Sequence, residues 1–181
     1  MGMKLIILDR DGVINFDSDK HIKSPDEWKP IPGSLEAVAR LNQSGSRVVV
    51  ASNQSGVGRG LFDMAALNAV HTKMHKALAQ FGGRIDAVFY CPHPAESQCE
   101  CRKPRAGLFR QIAERFHVDL VGVLAIGDSL RDLQAAVEAG CQPVLVETGK
   151  GKKTIGAGGL PAGTLIFPNL AAAVDELLGR A

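Results

Sequence analysis

The residues best suited to chemistry are Asp9 and Asp11 in the stretch DRDG, Ser52-Asn53-Gln54, Lys103 in CRKP, and Asp128 in GDS. Asp9 and Asp11 are two apart, so on an extended segment their side chains project the same way and can address one point. Asp128 adds a third carboxylate, and three carboxylates in one place repel unless a cation joins them. An all-oxygen ligand set favours a hard ion, and Mg²⁺ is the expected one. A hydroxyl and a lysine beside such a centre supply a hydrogen bond and a positive charge to an anionic substrate. Taken singly, these motifs have plainer readings. Asp-Gly is a common turn, and a lone lysine is ordinarily solvated. DRDGVINFDSD also has something of a calcium loop, but its glycine stands at the fourth place instead of the sixth.

A second set of ligands lies in YCPHPAESQCECRKP. Cys91, His93, Cys99 and Cys101 follow the spacing Cys-x-His-x5-Cys-x-Cys, which offers three sulfurs and one nitrogen, a full tetrahedral set for Zn²⁺. A catalytic zinc keeps one position for water. Here the protein fills all four, so the expected role is structural: a short zinc-bound loop that places Arg102 and Lys103, directly after Cys101, at the rim of the site. Chance clustering or a redox pair is the alternative. Cys141, alone in AGCQPVLV, reads as a small core residue.

The elements that must position these groups follow from the apolar pattern. Residues 4–8 (KLIIL), 48–51, 85–90, 121–126, 143–146 and 165–167 are short apolar runs of the kind buried on both faces of a sheet. Between them, helices are expected over 34–41 with Ser34 as N-cap, 63–80 capped by Asp63, 106–116, 130–139 and 169–178. Residues 9–33 are turn-rich, and the Gly/Lys-rich stretch 148–163 reads as a mobile loop. Alternating strands and helices predict an α/β fold: a Rossmann-like, mainly parallel sheet with helices on both faces, in one domain spanning 1–181. In such sheets ligands bind beyond the carboxyl ends of the strands, where Asp9, Ser52, the Cys/His loop and Asp128 fall.

Composition narrows the function. Of 181 residues, 45% are hydrophobic and the formal charge is +2, which gives no basic surface for nucleic acid. The apolar run at the start meets acids too soon for a secretory segment, and Gly2 is not followed by Ser or Thr at position 6, so neither export nor myristoylation is expected. No run approaches the ~20 residues of a membrane span. A soluble cytoplasmic protein is expected, without nucleic-acid or membrane partners and monomeric. In a reducing compartment clustered cysteines point to metal in preference to disulfides.

In order, Asp9-x-Asp11-Gly12-Val13, Ser52-Asn53-Gln54, Lys103 and Gly127-Asp128-x3-Asp132 resemble the four motifs of the haloacid dehalogenase (HAD) phosphohydrolase superfamily, over residues 4 to 147. The resemblance implies a phosphatase in which Asp9 is the nucleophile and Asp11 the general acid and base. It implies Mg²⁺ held by the Asp9 carboxylate, the Asp11 backbone carbonyl and Asp128, with Ser52 and Lys103 on the phosphoryl oxygens. Asp132 would orient Lys103 or the metal shell, or cap its helix. Neither interval between the motifs has room for a large cap domain. A capless chain with this zinc loop and CRKP is similar to two families, the D-glycero-D-manno-heptose 1,7-bisphosphate 7-phosphatases and the histidinol-phosphate phosphatases. The stretch NQSGVGRG, with Asn53, Gln54 and Arg59, favours the first. A sugar bisphosphate has a second phosphate to be recognised, which Arg59 and Arg102 are expected to bind. Ser129 follows Asp128 where some heptose phosphatases carry lysine.

Overall fold

The computed structural model describes residues 4–179; Gly2, considered above for acylation, lies outside the described residues. The strands are β1 (Leu5–Leu8), β2 (Arg47–Asn53), β3 (Ala87–Cys91), β4 (Leu124–Gly127), β5 (Gln142–Val146) and β6 (Leu165–Phe167). The helices are α1 (Ser34–Gln43), α2 (Ser55–Gly58), α3 (Met64–Gln80), α4 (Gly107–Phe116), α5 (Leu130–Glu138), α6 (Gly151–Ala157) and α7 (Leu170–Gly179). The strands form one sheet in the order β3-β2-β1-β4-β5-β6, and every neighbouring pair is parallel.

Alternate strand residues feed two cores. Ile6, Leu8, Val48 and Val50 pack with Leu35, Val38, Val70, Met74 and Val174 from α1, α3 and α7. Leu5, Ile7, Val49 and Ala51 pack with Leu108, Phe109, Ile112 and Ala135 from α4 and α5. Each such Leu, Ile or Val stabilises the fold by about 1.5–3 kcal/mol when fully buried. This two-sided burial explains why the central strands read as unbroken apolar runs. Cys141 joins the second core, as expected.

Several boundaries differ from the sequence expectation. The fourth strand begins at Leu124, because Val121 is 76% exposed in the turn before it. Ser34 is the first helical residue instead of the cap; Gly33 occupies the cap in a left-handed conformation, and the Ser34 hydroxyl donates to the Ile14 carbonyl at 2.6 Å. That bond, with Val13, Ile14, Ile22 and the buried Trp28 in the first core, orders the turn-rich segment. Asp63 caps α3 as expected, accepting from the Ala66 N–H at 2.8 Å. The stretch 148–163 is not loop throughout: it contains α6, whose Thr154 hydroxyl donates to the Asp128 carbonyl at 2.9 Å.

Candidate active site

Register brings the motifs together. Leu8 aligns with Val50 on one side and Ile126 on the other, and the Asp9 N–H donates to the Ile126 carbonyl at 2.9 Å. Asp9, Ser52 and Asp128 therefore emerge side by side at the carboxyl edge, where the chain turns from β1 to its two neighbours. Asp9, Asp11, Asn53, Gln54, Arg102, Lys103, Asp128 and Asp132 share the lining of a cavity of ≈ 250 Å³.

Lys103 is the charge at its centre. It is 2% exposed, and its ammonium reaches Asp132 Oδ1 at 2.7 Å, Asp9 Oδ1 at 3.2 Å and the Ala51 carbonyl at 2.7 Å. Its three protons thus have three acceptors. Burial opposes its charge, but Asp132 and Asp9 outweigh that and raise its pKa. Asn53 fixes its backbone from both sides, accepting from the Lys103 N–H at 3.0 Å and donating to its carbonyl at 3.1 Å. Gln54 donates to the Ser52 hydroxyl at 2.8 Å, which leaves the Ser52 proton free to donate elsewhere.

Oxygen atoms of Asp9, Asp128 and Asp132 lie within 4.8 Å of one another. Burial, followed by the Asp132 charge, pushes Asp9 up to about 7; burial, followed by Asp9 and Asp132, pushes Asp128 up to about 9. One lysine does not balance three carboxylates, and a hard dication fits the remainder. Asp132 is committed to Lys103 and to the start of α5, where its Oδ2 accepts from the N–H groups of Asp128 and Ser129, both at 3.0 Å. Asp9 and Asp128 are the carboxylates that would then hold Mg²⁺. The Asp11 carboxyl is outside that cluster and is bonded to Arg10, Asn15 and Gln54, so its contribution to the metal would be its backbone carbonyl. Backbone crowds the other side. A Cβ on Gly12, which has φ +86°, would collide with the Asp128 carboxyl.

Cys91, His93, Cys99 and Cys101 also converge. The Cys91 sulfur is 3.7 Å from that of Cys99 and 3.1 Å from that of Cys101, and His93 Nδ1 is 3.4 Å and 3.3 Å from Cys91 and Cys101. Zn–S bonds of ~2.3 Å in a tetrahedron give S···S edges of about 3.8 Å, and disulfide bonds would need about 2.05 Å. The Cys91–Cys99 distance matches such an edge and the Cys91–Cys101 distance is shorter, both lie well beyond a disulfide bond, and the four residues form a set suited to zinc.

The family model for polynucleotide kinase 3 phosphatase matches residues 4–129, and a HAD-hydrolase-like model matches residues 100–173. The D-glycero-beta-D-manno-heptose-1,7-bisphosphate 7-phosphatase of Bordetella bronchiseptica is 62% identical over 99% of this chain and 100% of its own length. The Pseudomonas aeruginosa enzyme of the same name is 54% identical over 98% and 99%. This chain belongs to that family. It is a phosphatase of the HAD superfamily. The crystal structure of the B. bronchiseptica D,D-heptose 1.7-bisphosphate phosphatase, complexed with magnesium and phosphate, superposes with a TM-score of 0.98 over 99% of this chain and 100% of that one.

Within this heptose-bisphosphatase family member, the two arginines expected at a second phosphate differ in placement. Arg102 lines the cavity and donates to the His93 carbonyl at 3.3 Å. Arg59 stands outside that lining, paired with Glu96 at 3.3 Å. Arg131 lines the cavity too, and Arg102 is shifted down first by burial and then by the Arg131 charge. Arg131 carries no signal of its own in the sequence, since a basic residue in the first turn of a helix is ordinarily solvated. Lys150 is a further lining residue, paired with Asp17 at 3.4 Å.

Proposed function

We propose that this chain removes the C7 phosphate of D-glycero-β-D-manno-heptose 1,7-bisphosphate, in nucleotide-heptose synthesis for the lipopolysaccharide core. The observation that carries the reading is the full-length relationship to the B. bronchiseptica enzyme together with the convergence of Asp9, Asp11, Lys103 and Asp128 on one cavity, with Ser52 buried beside it at the end of β2. The relatives favour this substrate over histidinol phosphate, and their names specify the β anomer.

In this mechanism an Asp9 oxygen attacks phosphorus and the bond to the C7 oxygen breaks, its electron pair passing to that oxygen. Asp11 donates the proton that an alkoxide leaving group needs. Water then attacks the aspartyl-phosphate, Asp11 takes a proton from it, and free Asp9 and inorganic phosphate result. Ser52 donates to the phosphoryl oxygens. The Lys103 charge offsets the ionised Asp9 and the phosphoryl group together. Mg²⁺, held by Asp9, Asp128 and the Asp11 carbonyl, would neutralise charge on the dianion. The zinc loop carries Arg102 and Lys103 to the cavity. No described helix is long and apolar enough to cross a membrane, and a cytoplasmic monomer is the form proposed.

The test is initial phosphate release, with Mg²⁺, from both heptose anomers and from histidinol phosphate. The β anomer is expected to lead in kcat/KM by at least ~100-fold, about 2.7 kcal/mol of transition-state discrimination. Preference for histidinol phosphate would overturn the substrate and keep the chemistry.

A further inference from the structure

The Asp11 carboxyl accepts four hydrogen bonds, and to carry a proton it must release one of them, for which the bond from Gln54 on the cavity side is placed. Oδ1 accepts from Arg10 Nε at 2.9 Å and Asn15 Nδ2 at 2.9 Å; Oδ2 accepts from Arg10 Nη2 at 3.2 Å and Gln54 Nε2 at 3.0 Å. Arg10 is the unexpected member. Its side chain is 0% exposed, behind the cavity wall, and its fork closes bidentately on Asp11. The third corner of the guanidinium, Nη1, lies 3.0 Å from Nε2 of His71 in α3. A guanidinium has only donors, so His71 Nε2 must accept, which fixes the neutral ring with its proton on Nδ1. Burial, then the charges of Arg10 and His75, push His71 down to about 4 against the opposing pull of Asp11, in keeping with that neutral form.

A buried charge is costly unless it is paired, and an apolar contact between the turn after β1 and α3 would fill the same space without that cost. The fork is instead directed at the one carboxyl that the proposed reaction asks to give up and take back a proton. Gln54, on the cavity side, bonds the same Oδ2 and also the Ser52 hydroxyl, so Asp11 is held between a buried fork and a substrate-facing amide.

We propose that Arg10 and His71 are positioning residues for the acid–base step: His71 holds the Arg10 guanidinium, and that fork sets the orientation of the Asp11 carboxyl toward the leaving oxygen. The inference rests on Asp11 being the acid and base of the proposed reaction, and the test separates the two.

The readout is the ratio of kcat/KM for the heptose bisphosphate, whose alkoxide needs a proton, to that for p-nitrophenyl phosphate, whose phenolate does not. Both constants report the steps up to aspartyl-phosphate formation. Asp11→Asn is the benchmark, expected to lose about 10²–10⁴-fold on the sugar ester and less than about 10-fold on the aryl ester. His71→Leu is expected to show the same skew at about 10–50-fold, with an unchanged KM for the sugar ester. His71→Gln, whose amide oxygen can accept from Nη1, is expected to recover to within about 3-fold of wild type. Arg10→Lys keeps the charge but not the fork, and should show the skew even if His71→Leu fails to fold. Equal losses on both esters in His71→Leu or Arg10→Lys, or no rescue by His71→Gln, would overturn the positioning role. Equal losses in Asp11→Asn would instead remove the acid–base assignment itself.

Discussion

Asp132 Oδ1 lies 2.7 Å from Lys103 Nζ, nearer than Asp9 Oδ1 at 3.2 Å, so of the two acids that hold this lysine the one from α5 is closer than the proposed nucleophile. Burial alone would raise the Asp132 pKa, but the Lys103 charge and hydrogen bond, with those from Ser129, hold it below the ordinary carboxylate range. Asp132→Asn would leave the ammonium free to collapse onto Asp9 and weaken the nucleophile. A loss of about 10–100-fold in kcat is expected, the usual scale for residues behind a reacting group. Asp132→Ala also abandons the start of α5 and should cost about 3–5 kcal/mol in stability, as breaking a buried pair does. Steady-state kinetics and denaturant unfolding check both; unchanged kcat in Asp132→Asn would remove the anchor from the account.

The stability of the protein should depend on pH in a way that Mg²⁺ reverses. Asp9 and Asp128 are raised from 3.8 to about 7 and about 9, first by burial and then by neighbouring acids. A carboxyl that holds its proton more tightly folded than unfolded stabilises the fold most below its unfolded pKa, and that contribution is lost as pH rises through the folded value. Cation-free protein is therefore expected to lose stability between about pH 4 and pH 9. Asp11 and Asp132, both lowered, act in the opposite sense, their contribution fading only as pH falls below about the unfolded value of 3.8. At ~100 times its Kd, Mg²⁺ should stabilise by about 2.7 kcal/mol, or roughly 5–10 °C in Tm for a chain of this size. Thermal scans with EDTA and with Mg²⁺ at pH 5.5 and 8.5 measure this. A larger Mg²⁺ shift at the lower pH would contradict the carboxylate cluster.

Much of this site was legible because its parts fall where periodicity marks them. Asp9, Ser52 and Asp128 stand at the carboxyl ends of apolar runs, and a parallel sheet aligns those ends whatever the sequence separation. The convergence of Cys91, His93, Cys99 and Cys101 was legible from spacing alone, since all four lie within one loop. Contacts between distant elements were not. His71 reads as one polar residue on an amphipathic helix, and only the packing of α3 brings it to Arg10. The α6 sequence GKKTIGA lacks an apolar stripe; Thr148 donating to the Gly12 carbonyl at 2.7 Å and the Lys150 N–H donating to Asp128 at 2.8 Å hold its start against the site. Ser34 misled because a hydroxyl at a helix start is a common cap, whereas here its strongest acceptor is a carbonyl from the preceding segment.

Zinc should matter for turnover through the loop it closes. Removing one ligand leaves Cys91 in the core and frees the remainder of the loop, which runs directly into Arg102 and Lys103. Cys99→Ser is expected to drop zinc from about one equivalent per chain to below about 0.2, and to lower both Tm and kcat. KM for a small monophosphate should change less, because Ser52 and Asp128 stay with the sheet. Elemental analysis beside kinetics decides it, and a zinc-free variant of full activity and stability would show the loop to be self-supporting.

Recognition of the second phosphate should fall on Arg102 and Arg131 more than on Arg59. The first two line the cavity together, and two guanidiniums converging at a partly buried wall repel unless an anion lies between them. Arg59 already has a carboxylate partner in Glu96, and its side chain is 43% exposed, where an ion pair gains little. A charge-assisted hydrogen bond to phosphate is worth about 1.5–3 kcal/mol, equivalent to about 10–150-fold. Arg131→Ala and Arg102→Ala are therefore expected to raise KM for the heptose bisphosphate by about 10–100-fold. The same variants should leave KM for p-nitrophenyl phosphate, which has no second phosphate, within about 3-fold of wild type, and Arg59→Ala should do so for both substrates. Arg131, in the first turn of the same helix that Ser129 precedes, lines the cavity and is placed to offer positive charge where some heptose phosphatases carry lysine. Equal KM changes on the two substrates would place Arg131 at the reacting phosphate instead.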